Sequence, residues 1–365
     1  EVSWLNKQPR VTRVALDYPA LQRTGRAIGL ALRIGPFSGP FQADDERIRG
    51  LAELARSLVA EAETNRLQIA ELQLDFDCAE SKLDGYRLWV EAIRQRVAPV
   101  PVTITALPAW LKRPAFQRLV AAADGYVLQV HSLARPRSAE APFTLCDPEA
   151  ARRAVERAAR LGRPFRVALP TYGYDVAFDS SGRFLGLSAE GPGKDWPAGT
   201  QRREIRTDPK AMAELVADWK DDRPQALAGV IWYRLPVADD TLNWRWPTLG
   251  AVMEGQVPRS DVRTETRQTQ PGLVEIDLIN AGRADGVVPG CVALHWRDAR
   301  LVAADGLQGF DLAESGPDAA HFTSRTGNTR LEAGQRRTIG WVRMNQKTEV
   351  QVQLNSEDHD GNTKR

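Results

Sequence analysis

Residues 67–80 read LQIAELQLDFDCAE and contain the pattern that decides the fold of the first half of the chain. Side chains of a β-strand point alternately to opposite faces, so Gln73, Asp75 and Asp77 share one face. The apolar residues between them, Leu72, Leu74 and Phe76, occupy the other face. A strand with one apolar face and two carboxylates at its end predicts a buried layer on one side. On the other side it predicts either water or a site.

Similar strand-like runs alternate with helical stretches from residue 26 to about 253, which is typical of βα repeats around a parallel sheet. The runs are RAIGLALRI (26–34), LQIAELQLDF (67–76), PVTITAL (101–107), GYVLQVHSL (125–133), FRVALPTYGY (165–174) and ALAGVIWYRL (226–235). VTRVALDY (11–18) is a plausible further strand. Residues 175–207 are too long for an ordinary connection and predict a functional loop or hairpin insertion. We therefore predict an α/β fold with a (β/α)8 TIM-like barrel over residues 1–255, with a doubly wound open sheet as the alternative.

Beyond Pro258 the pattern changes to alternating apolar and polar residues without intervening helices. This predicts an accessory all-β, sandwich-like domain over 258–355, followed by a disordered tail over 356–365. The scattered aromatic residues Trp296, Phe310, Phe322 and Trp341 predict a small core for this domain.

Composition narrows the classes of function. Lys plus Arg number 49 and Asp plus Glu 47, a balance that does not favour a nucleic-acid partner. The sequence shows no apolar run long enough for a membrane span, and its three cysteines have no metal-binding spacing. The segment GPFSGP (35–40) lacks the spacing of a phosphate-binding loop. We expect a monomeric protein without a cofactor or metal.

Polar and aromatic side chains recur where the predicted strands end, and in a barrel these ends surround the active site. Asp75 and Asp77 are the candidate catalytic residues. The candidate substrate-binding residues are Gln73, Gln129, His131, Tyr172, Tyr174, Trp232 and Arg234. Carboxylates and amides bind sugar hydroxyls, and aromatic rings stack on sugar C–H faces. The expected partner is therefore a carbohydrate, and Trp232 would form the floor of its site.

Each of these residues also has a structural interpretation. Asp75 and Asp77 can cap a loop or pair with Arg33, His131 can be a hydrogen-bonded structural histidine, and Trp232 can belong to the core. If both carboxylates face one site, their repulsion raises one pKa, so that Asp77 serves as a general acid and Asp75 as its electrostatic partner. Glycosidic cleavage needs such an acid, together with a second carboxylate or a substrate group as nucleophile.

The strings LQLDFDC, SKLDGYRLWVEAIRQRV, VTITALPAWL and YVLQVHSL resemble the bacterial family catalogued as domain of unknown function 3142, over about residues 20–250. The resemblance implies a glycosidase-like barrel without an established reaction. The motif order LDFD, LQVH, LPTYG and GVIWY is also similar to glycoside hydrolase family 18. That family carries D-x-x-D-x-D-x-E, but here Leu72 and Ala79 take its first and last positions, with Glu80 adjacent.

Two functional hypotheses follow. The first is a hydrolase that cleaves a polysaccharide or oligosaccharide. The second is a non-catalytic glycan-binding or envelope-associated protein, for which Ala79 at the proton-donor position is the main support. We expect a periplasmic or extracellular location.

Overall fold

The computed structural model of the protein describes residues 1–5, 8–37, 39–42, 45–132, 134–189, 195–326 and 329–355. The chain divides into two compact units, one formed by residues 1–207 and 221–235 and the other by residues 208–220 and 236 onward. The predicted tail lies outside the described residues.

The first unit contains eleven strands among the described residues. They are β1 Val2–Leu5, β2 Gln8–Val11, β3 Ile28–Ile34, β4 Ile69–Phe76, β5 Val102–Ala106, β6 Gly125–Gln129, β7 Phe165–Pro170, β8 Gly173–Phe178, β9 Phe184–Ser188, β10 Gln201–Arg206 and β11 Leu227–Tyr233. Its helices are α1 Tyr18–Arg23, α2 Glu46–Thr64, α3 Leu83–Val97, α4 Pro114–Ala122 and α5 Pro148–Ala159, with short 3-10 helices at Glu80–Lys82 and Pro108–Lys112.

Eight strands form one sheet in the order β11-β7-β6-β5-β4-β3-β1-β2. Neighbours from β11 to β1 are parallel, and only β2 runs antiparallel to its neighbour. The prediction of an α/β fold around a parallel sheet is confirmed. From β3 onward the order follows the chain without the reversal of a doubly wound sheet. In the described part of the chain, β11 does not pair with a strand from the other end of the sheet, so closure into a barrel stays a prediction.

The sheet is curved. The guanidinium of Arg166 on β7 donates to the carboxylate of Glu71 on β4 at 2.6 Å, although β5 and β6 lie between these strands. Adjacent strands are about 4.8 Å apart, so a flat sheet would place these two backbones about 14 Å apart. The contact therefore shows that side chains on this face converge toward one interior.

The segment after β7 departs from the βα repeat. Tyr172 follows β7, and Tyr174 belongs to β8, which forms an antiparallel sheet in the order β10-β8-β9. The predicted insertion at 175–207 is thus a β-sheet in its described part. The predicted strand at 11–18 is wrong beyond Val11, because residues 12–17 form no strand and α1 begins at Tyr18. Leu133, at the end of the run predicted for β6, lies outside the described residues.

The second unit contains α6 Pro209–Asp221, which reaches one residue past the division, and α7 Trp246–Met253. Its strands are β12 Val262–Gln270, β13 Leu273–Asn280, β14 Gly286–Val287, β15 Cys291–Trp296, β16 Leu301–Gly306, β17 Phe310–Ser315, β18 Ala319–Ser324, β19 Arg330–Leu331, β20 Arg336–Met344 and β21 Val350–Asn355. They form two four-stranded sheets, β12-β13-β20-β16 and β17-β18-β15-β21, and the pair β14-β19.

Side chains from both four-stranded sheets form one apolar core in this unit. Trp296, Phe310 and Phe322 belong to it as predicted, whereas Trp341 on β20 is partly exposed. The two helices that sequence patterning assigned to the barrel domain lie in this unit. Arg245, just before α7, forms a two-bonded ion pair with Glu332 at 2.6 and 2.7 Å. Apart from residues 208–220, this unit begins at residue 236, whereas the sequence predicts that the second domain begins at residue 258.

Candidate functional site

A cavity of about 550 Å³ opens on the concave face of the first unit's sheet, at the carboxyl ends of its parallel strands. Eight of the nine predicted site residues line it: Gln73, Asp75, Asp77, Gln129, His131, Tyr172, Tyr174 and Arg234. The ninth, Trp232, does not. The structure thus brings together side chains from strands that are far apart in sequence.

Strand β4 contributes three polar groups to the cavity because its alternation is regular. Leu72, Leu74 and Phe76 are buried on the opposite face, with at most 1% of their area exposed. Their burial holds Gln73, Asp75 and Asp77 toward the cavity. The Gln73 amide donates to the hydroxyl of Thr105 on β5 at 2.9 Å, which links two neighbouring walls.

The two carboxylates differ in their partners. Asp75 accepts a hydrogen bond from Arg33 of β3 at 3.0 Å, so the ion-pair interpretation of Asp75 is correct for this residue. Asp77 is exposed at the cavity mouth. Desolvation in the cavity, and then the negative charge of Asp75, raise the pKa of Asp77, while Arg33 opposes the rise. Of the two acids, Asp77 is the one that holds a proton more readily than an ordinary aspartate.

Arg33 is held in its charged form. Partial burial disfavours the guanidinium charge, but the carboxylates of Asp75 and Asp77 outweigh it, and the pKa of Arg33 is raised. The cavity therefore presents a cation between two strands, next to two acids. Such a group can bind a sugar hydroxyl as a donor while its carboxylate neighbour accepts from another hydroxyl.

An aromatic cluster forms a second wall of the cavity. The rings of His131 and Tyr233 stack with centroids 5.6 Å apart and an interplanar angle of 17°, and Tyr172 meets both edge-on. Tyr174 meets Tyr172 edge-on in turn. The His131 side chain is only 4% exposed, and this burial lowers its pKa to about 4. His131 is therefore neutral near pH 7.

Two further predicted residues complete this wall. The Arg234 guanidinium lies over the Tyr172 ring, 5.3 Å from its centroid, and donates to the carbonyl of Ala189. Gln129 donates to the backbone carbonyl of His131 at 3.2 Å and so supports the segment that follows β6.

Tyr233 takes the place that sequence reasoning gave to Trp232. On β11, Ile231 lies beside Ala168 of β7, and both line the cavity. By alternation Tyr233 then faces the cavity and Trp232 the other side. Arg234 follows the last residue of the strand, where this alternation ends. Tyr233 is 43% exposed, which leaves ring surface available to a ligand.

The proton-donor position of glycoside hydrolase family 18 has no equivalent acid here. Ala79 precedes the short helix Glu80–Lys82, and Glu80 is ion-paired with Arg113. Glu80 is not among the residues that line the cavity. Asp75 and Asp77 are the only carboxylates among the described residues that line the cavity.

Sequence reasoning missed Tyr233, Ser132 and Thr105 as lining residues. Thr105 carries a usable signal, because it shares a face with Thr103 in a strand that is otherwise apolar. Ser132 and Tyr233 could not be recognised from the sequence. The position of a loop residue such as Ser132, and the register that decides which face of β11 lines the cavity, both depend on tertiary contacts. In the described part of the chain, His, Cys, Asp and Glu form no cluster able to hold a metal ion, and no helix is long and apolar enough to cross a membrane.

Several solved structures align with this chain. The chitinase ChiA74 from Bacillus thuringiensis aligns with a TM-score of 0.45 and 11% identity, over 92% of this chain and 83% of that one. A chitinase from Chromobacterium violaceum aligns at 0.46 and 15%, over 70% and 88%. The spore cortex-lytic enzyme SleL from Bacillus megaterium aligns at 0.45 and 12%, over 68% and 63%. At these scores and identities the likeness assigns no activity to this chain.

Sequence comparisons treat the two halves separately. The chain matches no curated protein. Residues 263–345, within the second unit, match the family described as domain of unknown function DUF8456. Residues 39–238 include every predicted site residue and make up more than half of the 365-residue chain. Because they match the family described as domain of unknown function DUF3142, the protein belongs to that family.

Proposed function

We propose that the protein is a glycoside hydrolase that cleaves a polysaccharide or oligosaccharide in the cavity of its first unit. Asp77 acts as the general acid that protonates the leaving glycosidic oxygen, and Asp75 is its electrostatic partner. The observation that carries the proposal is the Asp75–Asp77 pair in a cavity that is also lined by the aromatic cluster of His131, Tyr172 and Tyr233.

The chemistry of the cavity suits a sugar. A pyranose presents hydroxyls at its edge and C–H groups on its faces, and it is bound by polar side chains together with an aromatic ring. Gln73, Arg33 and Asp75 supply donors and acceptors, and the exposed ring of Tyr233 supplies a stacking surface.

The choice of nucleophile depends on the role of Asp75, the second carboxylate among the described lining residues. Asp75 is ion-paired with Arg33 and lies on the same strand face as Asp77, with backbones about 6–7 Å apart for residues two positions apart on a strand. We assign it to orient the substrate and to tune Asp77. Attack on the anomeric carbon then falls to a group of the substrate or to water.

We further propose that the sheet closes around the cavity as a TIM-like barrel. Ala31 and Arg33 of β3 and Ile231 and Tyr233 of β11 line the same cavity, although four strands lie between β3 and β11 in the pairing order of the sheet. The cross-sheet contact between Glu71 and Arg166 supports the same curvature.

The test is Asp77→Asn. Loss of a general acid lowers turnover by about a hundredfold or more, while binding persists because the amide keeps the shape of the carboxyl. Release of reducing ends from soluble glycans measures turnover, and calorimetry measures binding. Asp84→Asn is the control, since Asp84 pairs with Arg118 and does not line the cavity. Undiminished turnover in Asp77→Asn would remove Asp77 from the mechanism.

A second candidate function is glycan binding without cleavage. Two observations favour it: Ala79 at the proton-donor position of family 18, and the pairing of Asp75 with Arg33. It predicts saturable binding to a glycan array with no release of reducing ends by the wild-type protein. Cleavage of any glycan that is lost in Asp77→Asn contradicts it.

A further inference from the structure

Three hydroxyl groups connect Ser132 to the imidazole of His131 along the aromatic wall. The Ser132 hydroxyl is hydrogen-bonded to that of Tyr174. The Tyr174 oxygen lies 3.2 Å from that of Tyr172, and the Tyr172 oxygen lies 3.3 Å from Nδ1 of His131. We call Ser132, Tyr174 and Tyr172 the hydroxyl chain.

The number of protons restricts how this chain is oriented. Each hydroxyl donates one hydrogen bond, and neutral imidazole donates from one nitrogen only. If Tyr172 donates to Nδ1, its only proton is used, so all three contacts are hydrogen bonds only when Tyr174 donates to Tyr172 and Ser132 donates to Tyr174. If Nδ1–H donates to Tyr172 instead, more than one arrangement of the hydroxyl protons satisfies the other two contacts.

Acidity selects the donor in the contact between Tyr172 and His131. A phenol, with an ordinary pKa of about 10, is a much stronger donor than a neutral imidazole N–H, and an imidazole nitrogen is a stronger acceptor than a phenol oxygen. The Tyr172 hydroxyl therefore donates to Nδ1, Tyr174 donates to Tyr172, and Ser132 donates to Tyr174. A neutral imidazole that accepts at Nδ1 carries its proton on Nε2.

The surroundings of His131 keep the ring neutral and fixed. Burial lowers its pKa to about 4, and the rings of Tyr233 and Tyr172 pack against it face-on and edge-on. His131 also lines the cavity. Its position thus combines a single protonation state, a fixed ring plane and access to a ligand.

We propose that the hydroxyl chain fixes His131 in the neutral tautomer with the proton on Nε2, and that this N–H donates a hydrogen bond to an oxygen atom of the bound sugar. The second half of the inference rests on the proposed carbohydrate site. His131 is then a positioning residue with a permanent donor, in contrast to a residue that exchanges protons with the substrate.

The tautomer is tested on the full-length protein by nitrogen NMR after labelling its histidines, with His131→Gln used to assign the signals of His131. We expect Nδ1 to show the resonance of an unprotonated nitrogen and Nε2 that of a protonated one from pH 6 to 8. Tyr172→Phe removes the donor to Nδ1 and should produce a mixture of both tautomers. A proton on Nδ1 in the wild type, or a tautomer unchanged in a folded Tyr172→Phe variant, overturns the inference.

The sugar contact is tested by adding soluble β-linked oligosaccharides of glucose, xylose and N-acetylglucosamine to the labelled protein. A shift of the Nε2–H signal with at least one of them is expected, and no shift with any of them overturns the contact. His131→Leu should weaken binding of that oligosaccharide by about tenfold, whereas His131→Gln, which retains an amide donor, should recover part of the loss.

The two proposals fail separately. Reducing-end release without a shift at Nε2 supports hydrolysis and contradicts the role of His131. A shift at Nε2 without release supports the role of His131 and contradicts hydrolysis.

Discussion

The Nη1 atom of Arg33 on β3 lies 3.0 Å from Oδ2 of Asp75 on the adjacent strand β4, and Asp77 follows two residues later on the same face. A cation and two carboxylates therefore share one wall of the cavity. Because Asp75 raises the pKa of Asp77 and Arg33 lowers it, these neighbours act on Asp77 in opposite directions.

Replacing Asp75 and replacing Arg33 should therefore shift the pKa of Asp77 in opposite directions. A general acid works only while protonated, so activity falls as pH rises through the pKa of Asp77. Asp75→Asn should move this alkaline limb to lower pH, and Arg33→Gln should move it to higher pH. The measurement is the pH profile of kcat/KM on a cleavable glycan. Shifts of the same sign in both variants would show that another group controls the limb.

We expect the neighbouring residues Tyr233 and Trp232 to contribute differently to glycan affinity, because only Tyr233 lines the cavity. Tyr233→Ala should weaken glycan binding by about 1 kcal/mol, or roughly fivefold, because a stacking surface is lost. Trp232→Phe alters a side chain that does not line the cavity and should leave affinity unchanged. Calorimetric titration of both variants with one oligosaccharide measures the difference. Equal losses would mean that the predicted role of Trp232 was correct after all.

His131 predicts a specific dependence of stability on pH. Its folded-state pKa of about 4 lies below its ordinary value of 6.5, so the unfolded chain binds the proton more readily. This contribution to the free energy of unfolding is fully present above pH 6.5 and is lost as pH falls through 4, by about 3 kcal/mol.

The comparison that isolates this effect uses His131→Gln, which cannot titrate. Urea unfolding followed by tryptophan fluorescence at pH 7 and pH 4.5 should show a smaller loss of stability in the variant than in the wild type. Parallel losses in the two proteins would indicate that His131 is accessible to protons in the folded state.

The last prediction concerns the stability contributed by the segment before α7, in the second unit. The ion pair between Arg245 and Glu332 has two hydrogen bonds and is largely shielded from solvent, with the two side chains 18% and 32% exposed. Glu332→Gln should lower the free energy of unfolding by about 1–2 kcal/mol. Glu314→Gln, which changes an exposed acid on β17, should change it little. Equal effects would show that the segment before α7 contributes no stability through this pair.

Local patterns in the sequence were sufficient for the elements that depend on neighbouring residues. The two faces of β4 follow from strict alternation, which does not require knowledge of any partner strand. Helix α5 begins at Pro148 directly after Asp147, an Asp-Pro pair that is typical of a helix start, and the Asp147 carboxylate accepts from the Ala150 amide at 3.0 Å. The main strands of the second unit likewise follow from alternation between turn residues.

Tertiary structure decided what depends on pairing between distant segments. Whether Trp232 or Tyr233 faces the cavity is set by the register of β11 on β7, because a shift of one residue exchanges the two faces of a strand. Tyr174 enters the hydroxyl chain because it lies on β8 and not at the end of β7, where sequence placed it. The pairing of Asp75 with Arg33 similarly requires β3 and β4 to be neighbours. Alternation along one strand is a local property of the backbone, whereas register and neighbourhood are set by long-range contacts, and the candidate site is built from the latter.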